Sequence, residues 1–209
     1  MPKQKIDTAQ EIFWSGDFGD KYVERHREKI NVANRIAYFS RILSSMGEIR
    51  SVLEIGANIG SNLKAIHALF PEVKKAAIEI NRTAADHLEK SGVVDDVYNE
   101  SVLDCRIDYR FDLVFTSGFL IHVSPDDIHD VYKFIFDHSS KYIVLDEFYN
   151  PEVVKVLYRG HEDQLFKRDF PGEMLDAFPG LELLDYKFTY HRDRVLAMND
   201  HTWFLLRKT

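Results

Sequence analysis

Cysteine is nearly absent from this chain of 209 residues, in which Cys105 is the only one. A single cysteine excludes an internal disulfide and leaves no thiol pair for a zinc site. The sequence also lacks any apolar run of about 18 residues, and the polar residues 1–7 lead into no apolar segment. We therefore expect a cytoplasmic protein that is neither secreted nor bound to a membrane.

Positive charge is scarce as well, with 27 Lys and Arg against 34 Asp and Glu and a formal net charge of −7. The long-range field of such a protein repels a polyanion, so nucleic acid is not expected as its main partner. Repeats, low-complexity tracts and Gly/Ser linkers are missing too. The length predicts a single domain over residues 1–209, with a helical lid or cap over 1–48 and the core over 49–209.

Strand-like and helical patterns alternate along most of the chain. Apolar residues recur at helical spacing over 21–46, which predicts one amphipathic helix or two. Alternation of strands with helices implies a parallel sheet covered on both faces. Strands are predicted at 51–55, 76–80, 93–98, 111–115 and 142–145, with helices near 63–70, 82–90 and 124–138.

The end of the chain follows another pattern. Residues 181–190 and 202–206 are strand-like runs with only a loop between them, so they should pair antiparallel. The predicted fold is α/β and Rossmann-like, a mostly parallel sheet of seven strands with an antiparallel C-terminal hairpin and helices on both faces. Two helix starts are also predicted, one with Ser124 as N-cap and Pro125 at the first position, the other at Asn150.

A glycine loop, Glu-Ile-Gly-Ala-Asn-Ile-Gly, follows the first strand at 54–60. It resembles the first motif of S-adenosylmethionine-dependent methyltransferases and lies where open α/β sheets bind ligands. Gly56 would let the backbone turn tightly, and Gly60 would let the next helix start close to the strand. The loop lacks the third glycine of the dinucleotide fingerprint, which favours S-adenosylmethionine over NAD. The alternative is a structural turn in which Glu54 caps the following helix.

Further cofactor contacts are expected at the ends of neighbouring strands. Glu54 is expected to approach the cofactor's ammonium group, and Glu79 to accept hydrogen bonds from the ribose hydroxyls. Val102 and Asp104 either contact the adenine or cap their own loop. The residues predicted to bind the cofactor are Trp14, Phe18, Tyr22, Glu54, Gly56, Ala57, Asn58, Gly60, Glu79, Ile80, Val102, Asp104 and Ser117.

Four segments together resemble a particular family, the methylases associated with biosynthesis of pseudaminic acid, a bacterial nonulosonic sugar. They are WSGDFGDKY at 14–22, the glycine loop, GFLIHV at 118–123 and WFLLRK at 203–208. The resemblance spans nearly the whole chain. It implies that the acceptor is a sugar-related small molecule. We expect its oxygen or nitrogen to be methylated, although the sequence leaves oxygen, nitrogen and carbon open.

Candidate residues for the acceptor side lie after the fourth and fifth strands. His122 is the candidate general base, since imidazole titrates near neutral pH; alternatively it bonds backbone in the turn before Ser124. An aromatic and basic stretch is expected to form the acceptor wall, suited to an anionic or nucleotide-linked sugar, or else to be a solvated helix face. The predicted wall residues are Tyr149, Tyr158, Arg159, Lys167 and Arg168.

Two features near these residues allow different interpretations. Trp14, Phe18 and Tyr22 form a lid over the cofactor, hinged at Gly16 and Gly19, or else anchor the first helix to the core. Asp146, Glu147 and Asn150 offer hard oxygen ligands, but Asn150 reads more simply as a helix N-cap, so no metal is predicted.

Two rival functions remain open from the sequence. One is a methyltransferase that acts on a protein or a nucleic-acid base. The Asn/Asp-Pro-Pro-aromatic element common in nucleic-acid enzymes is missing after the fourth strand, where Thr-Ser-Gly-Phe stands at 116–119. The other is a module that binds S-adenosylmethionine without catalysis.

Overall fold

The computed structural model describes residues 8–27, 32–194 and 198–209. Residues 1–7, which are polar, and Ile30, one of the apolar residues that recur at helical spacing over 21–46, lie outside these ranges. The segment predicted as helical at 21–46 contains the second half of one helix, which starts four residues earlier at Asp17, and the whole of another. The helices are α1 (Ala9–Ser15), α2 (Asp17–Arg27), α3 (Val32–Leu43), α4 (Ser61–Leu69), α5 (Arg82–Lys90), α6 (Ile128–His138) and α7 (Phe170–Ala177).

In the part of the chain that the structure describes, seven strands form one sheet, in the order β3-β2-β1-β4-β5-β9-β8. The first five are parallel, and β9 runs antiparallel to both β5 and β8. The predicted parallel array with an antiparallel terminal pair is confirmed. The strands of this sheet are β1 (Ser51–Ile55), β2 (Lys74–Ile78), β3 (Asp96–Tyr98), β4 (Phe111–Ser117), β5 (Ser139–Glu147), β8 (Leu181–Phe188) and β9 (Thr202–Lys208).

Different helices cover the two faces of the sheet. Successive residues of a strand point to opposite faces, and in β1 both sets are buried. Leu53 belongs to an apolar cluster that includes Val131 of α6. Val52, on the other face, belongs to a cluster with Phe39 of α3 and Ile66 of α4. Each such buried side chain contributes about 1.5–3 kcal/mol, so burial on both faces sets the place of β1 in the middle of the sheet.

The predicted start of α6 is wrong by one turn. Residues 125–127 form a turn that is closed by the Asp127 N–H donating to the Ser124 carbonyl at 3.0 Å. The helix therefore begins only at Ile128, and Ser124 is not its N-cap. Instead, the Ser124 hydroxyl accepts a hydrogen bond from the Asp126 N–H at 3.3 Å.

The helix predicted to begin at Asn150 and Pro151 is also wrong. This segment enters a two-stranded antiparallel hairpin of β6 (Val154–Lys155) and β7 (Phe166–Lys167). The Asn150 side chain donates to the Glu152 carbonyl at 2.6 Å instead of capping a helix. None of the helices in the three described ranges is long and apolar enough to cross a membrane.

Candidate active site

A cavity of about 850 Å³ lies at the carboxyl ends of the parallel strands. Its floor includes Glu54 of β1, Glu79 just after β2 and Ser117 of β4, and its opposite wall includes Trp14 and Tyr22 from α1 and α2. This edge is where open α/β sheets bind ligands. The volume falls within the range of about 300–1,000 Å³ usual for small-molecule sites.

The glycine loop has the backbone geometry that its sequence predicts. Gly56 has a φ of +72°, and a Cβ there would lie 2.4 Å from the ring of Phe119. Gly60 has a φ of +75°, and a Cβ there would lie 2.5 Å from Leu88 of α5. Both conformations favour glycine, and both positions also need it for close packing. The Gly56 N–H donates to the Ile78 carbonyl at 2.9 Å, which ties the loop to β2.

Glu54 is a buried carboxylate with one unsatisfied oxygen. The Asn62 amide donates to its Oε1 at 2.6 Å, and Arg35 donates in turn to Asn62. Oε2 is buried and has no partner among the described residues. Burial raises the pKa of Glu54 to about 8, against the opposing Asn62 hydrogen bond. Once ionised, the carboxylate would be a buried charge without a partner at Oε2, so a cationic group bound here would stabilise the ionised form.

The alternative role of Glu54 as a helix cap is not what the structure shows. Among the described residues, no side chain caps the N-terminus of α4, and Glu54 instead contacts a side chain inside that helix, Asn62.

Glu79 joins the glycine loop to the segment after β2. Its Oε2 accepts from the Asn58 N–H at 2.7 Å, and its Oε1 accepts from the Asn81 N–H at 2.8 Å. Burial raises the pKa of Glu79, opposed by these backbone donors. A carboxylate has about four acceptor sites, so Glu79 can hold the loop and still accept from a ligand.

The other predicted cofactor residues divide between two places. Ala57, Asn58, Ile80, Val102 and Ser117 line the cavity. Phe18, Gly60 and Asp104 are not among its walls. Each of them contacts a residue that does line the cavity: the Phe18 ring packs on Trp14, the Gly60 N–H donates to the Ala57 carbonyl at 2.9 Å, and the Asp104 N–H donates to the Ser101 carbonyl at 3.0 Å.

An aromatic cluster covers the cavity. The ring of Trp14 lies 5.1 Å from Tyr22, 5.4 Å from Phe18 and 6.3 Å from Tyr158, measured between centroids. The buried Trp14 Nε1 has no acceptor within the described ranges. Of the three predicted lid aromatics, Trp14 and Tyr22 thus reach the cavity, and Phe18 supports them.

This cluster is also anchored, as the alternative interpretation expected. Asn81, the N-cap of α5, donates to the Trp14 carbonyl at 3.2 Å and to Asp20 at 3.0 Å. Gly19 has no positive φ, and a Cβ there would lie 1.9 Å from the Trp14 carbonyl oxygen. Close packing of α2 against α1 therefore explains this glycine better than a hinge does.

His122 lies in a single 3-10 turn after β4, against Trp14 and Tyr158 with ring centroids 4.6 and 4.9 Å away. Its Nδ1 lies 2.5 Å from the Gln164 carbonyl oxygen, which only accepts, so Nδ1 carries the proton. Burial lowers the pKa of His122 to about 4 in spite of this hydrogen bond. The backbone partner thus belongs to a distant segment and not to the turn before Ser124.

The predicted acceptor wall is only partly at the cavity. Tyr158, Arg159 and Lys167 line it. Tyr149 is 42% exposed and packs on Phe204 at a centroid distance of 5.7 Å. Arg168 instead donates to Glu173 at 2.7 Å. Nor is the stretch a solvated helix face, because a hairpin and turns stand there.

Sequence reasoning missed the loop between β8 and β9 and the polar side chains of α3. Asn34 and Arg35 line the cavity, as do His191, Met198, Asn199, Asp200 and His201. The predicted hairpin alone did not show this, because it left open which strand of the parallel sheet pairs with β9. Because β9 is antiparallel to β5, its first residue pairs with Glu147 at the carboxyl end of β5. The residues just before β9 must then lie at the ligand-binding edge.

Solved structures share this arrangement at low sequence identity. The chain is similar to an S-adenosylmethionine-dependent methyltransferase from Clostridium acetobutylicum ATCC 824 (TM-score 0.65, 12% identity, 91% of this chain and 97% of that one). This is the class I methyltransferase fold. This chain is also similar to CalS10, an amino pentose methyltransferase from Micromonospora echinaspora (TM-score 0.65, 12% identity, 91% of this chain and 97% of that one). A third similar structure is the plantazolicin methyltransferase BpumL in complex with S-adenosylhomocysteine (TM-score 0.69, 10% identity, 96% of this chain and 94% of that one).

No protein-family model and no curated protein matches the sequence. The resemblance to the methylases associated with pseudaminic acid biosynthesis therefore stays a prediction, while the methyltransferase fold is established.

Proposed function

We propose that this protein is an S-adenosylmethionine-dependent methyltransferase with a small-molecule acceptor. The observation that carries the proposal is the buried Oε2 of Glu54, which has no partner among the described residues. It lies next to the tight turn at Gly56, at the carboxyl end of β1 in a sheet of the methyltransferase fold. The solved structures of CalS10 and BpumL, which have this fold, contain S-adenosylmethionine and S-adenosylhomocysteine. Bound here, the cofactor would supply an activated methyl group.

The residues around the cavity suit this cofactor. Glu54 pairs with the ammonium group, and Glu79 accepts from the ribose hydroxyls while it holds the loop at Asn58. Ala57, Ile80, Val102 and Ser117 surround the remainder of the ligand. Phe18, Gly60 and Asp104 act through position, by supporting the residues that touch it.

Residues 8–27 form the lid of the proposed site. Trp14 and Tyr22 exclude water from the cavity and offer ring faces to the cationic sulfur. The Asn81 contacts hold this lid in place, so the same segment both covers the site and anchors the first helices.

The acceptor we propose is a sugar, either acidic or linked to a nucleotide, as the family resemblance implies. Arg159 and Lys167 supply two cations at the wall of the cavity, and Tyr158 an aromatic face. Charge-assisted hydrogen bonds from these cations suit a carboxylate or a phosphate. CalS10, whose own acceptor is an amino pentose by name, has the same fold.

Turnover tests the proposal and separates it from its rivals. The protein is incubated with S-adenosylmethionine and a panel of nucleotide sugars and acidic sugars, and S-adenosylhomocysteine is measured by mass spectrometry. Release that depends on one sugar supports the proposal. Cofactor binding without release across the panel favours a non-catalytic module, and release that depends on protein or nucleic acid favours a macromolecular acceptor.

A further inference from the structure

A second histidine stands at the cavity, paired with a carboxylate. His201 directly precedes β9, and its Nδ1 lies 3.3 Å from Oδ1 of Asp146 near the end of β5. The Phe148 ring packs edge-to-face against the imidazole at 4.6 Å. His201 lines the cavity, and the structure shows no hydrogen bond to its Nε2 from the described residues. The imidazole is thus held on one side and open on the other.

Asp146 is rigidly held. It is buried, and it accepts from the Tyr38 hydroxyl at 2.7 Å and from the Ser117 hydroxyl at 2.6 Å. Burial alone would raise the pKa of Asp146, but His201 and these hydroxyl donors hold it below its usual range. The carboxylate therefore stays ionised and fixes which nitrogen of His201 carries the proton.

The charges around His201 favour its protonated form. Burial disfavours the imidazolium, but Asp146 and then Glu147 of β5 outweigh this effect and raise the pKa of His201, with Arg35 of α3 opposing them. Asp200, in the same loop as His201, is turned to His191, whose Nδ1 lies 2.8 Å from its Oδ2.

His122 has a different environment. Its Nδ1 partner is a neutral carbonyl, and the pKa of His122 is lowered to about 4. Because the pKa of His201 is raised and that of His122 is lowered, His201 holds a transferred proton more firmly than His122 does.

We propose that His201, oriented by Asp146, is the base that accepts the proton of the acceptor's hydroxyl or amino group during methyl transfer. The proposal rests on the proposed function. The acceptor's oxygen or nitrogen forms a bond to the methyl carbon as the carbon–sulfur bond breaks, and that electron pair stays on sulfur. The acceptor's proton moves to Nε2 of His201. One positive charge disappears at sulfur and one appears on the imidazole, so the site keeps its charge, and Asp146 stabilises the new cation.

If His201 is the base, it lies close enough to the sulfonium for that charge to change its pKa. NMR can measure this change without a known acceptor. The full-length protein is labelled with ¹³C-histidine and titrated alone, with S-adenosylhomocysteine and with S-adenosylmethionine. The two ligands differ by the methyl group and one positive charge. We expect the pKa of His201 to be about one unit lower with S-adenosylmethionine than with S-adenosylhomocysteine, because like charges repel. Exposed His129 on α6 is the control, and its resonance should not differ between the two complexes.

Two variants complete the experiment. H201Q identifies the resonance, and D146N should lower the pKa of His201 in the free protein. The comparison of the two ligands uses the unaltered chain, so it stands even if D146N does not fold. Equal His201 titrations in the two complexes, or a shift at His122 alone, would overturn the proposal. Calorimetry of both ligands separates this result from failure of the proposed function, in which neither ligand binds.

Discussion

The backbone N–H of Asn58 donates a 2.7 Å hydrogen bond to Oε2 of Glu79, which fastens the glycine loop after β1 to the carboxylate that follows β2. E79Q replaces an acceptor with an amide N–H₂ and leaves one of the donors, Asn58 or Asn81, without a partner. A buried donor without a partner costs about 1–3 kcal/mol. We expect a lower Tm and at least about tenfold weaker binding of S-adenosylhomocysteine, measured by calorimetry.

The matched control for E79Q is E89Q on the exposed face of α5. It should change neither the Tm nor the affinity. Wild-type affinity in E79Q would show that Glu79 holds neither the loop nor the ligand.

Glu54 should couple cofactor binding to proton release. Its pKa is raised from 4.5 to about 8 by burial, so the free protein at pH 7 holds the protonated carboxyl. An ammonium group pairs with the ionised form, so binding should release about one proton at pH 7. Calorimetry in buffers of different ionisation enthalpy measures this number. E54Q should abolish the release, and an unchanged release in E54Q would assign the proton to another group.

The raised pKa of Glu54 also determines whether the protein becomes more or less stable as the pH rises. The folded protein binds the Glu54 proton more tightly than the unfolded chain does. The Glu54 contribution to stability is therefore complete below pH 4.5 and is lost as the pH rises through about 8. Urea unfolding of the ligand-free protein should show a steeper fall in stability over this window for wild type than for E54Q.

The loop prediction concerns Gly56. G56A places a Cβ 2.4 Å from the Phe119 ring at a φ of +72°. The left-handed conformation costs about 1–2 kcal/mol for a residue with a side chain, and the ring must also shift. We expect loss of cofactor affinity with a lower Tm. G180A is the control, because no atom of the described ranges lies within 4 Å of the added Cβ. If both variants bind the cofactor alike, the loop at Gly56 does not hold it.

The lid is tested at Trp14. W14A removes the ring that contacts Phe18, Tyr22 and His122, so cofactor affinity should fall by about tenfold or more. I12A, on the same helix at a site 60% exposed, should bind normally. Removal of residues 1–20 should also weaken binding. Unchanged affinity in W14A and in the truncated chain would leave the segment with an anchoring role alone.

The wall residues predict which acceptors are used. R159M and K167M should raise KM for an acidic or phosphorylated acceptor, with cofactor affinity unchanged, because each removes a cation from the cavity wall. R168M should leave KM unchanged and lower the Tm, since Arg168 is paired with Glu173. A KM effect confined to R168M would contradict this placement of the wall.

The sequence predicts what depends on local patterns. The alternation of strands and helices, the glycine loop and the carboxylates at 54 and 79 are each readable within about thirty residues, as is usual for a βαβ unit. The cradle at Gly56 follows from its place after β1. The roles of Glu54 and Glu79 toward a ligand remain predictions.

The remainder depends on tertiary contacts. In the sequence, Arg168 and Arg159 are equally good candidates for the cavity wall. The hydrogen bond from Arg168 to Glu173 holds Arg168 away from the cavity. The start of α6 was decided by a turn at 125–127 rather than by the capping preference of Ser124. His201 contacts Asp146 because β9 pairs with β5. The local sequence of a strand does not show which other strand it will pair with.

Methyl transfer from S-adenosylmethionine to a small molecule can be tested directly with a labelled methyl group. The protein is given S-adenosylmethionine with a ¹³C-methyl group, together with the sugar panel and a small-molecule extract of the cells that make the protein. We expect ¹³C in one small molecule, with an equal amount of S-adenosylhomocysteine, and loss of both in E54Q. Tight binding of S-adenosylmethionine with no label in any small molecule would contradict this expectation.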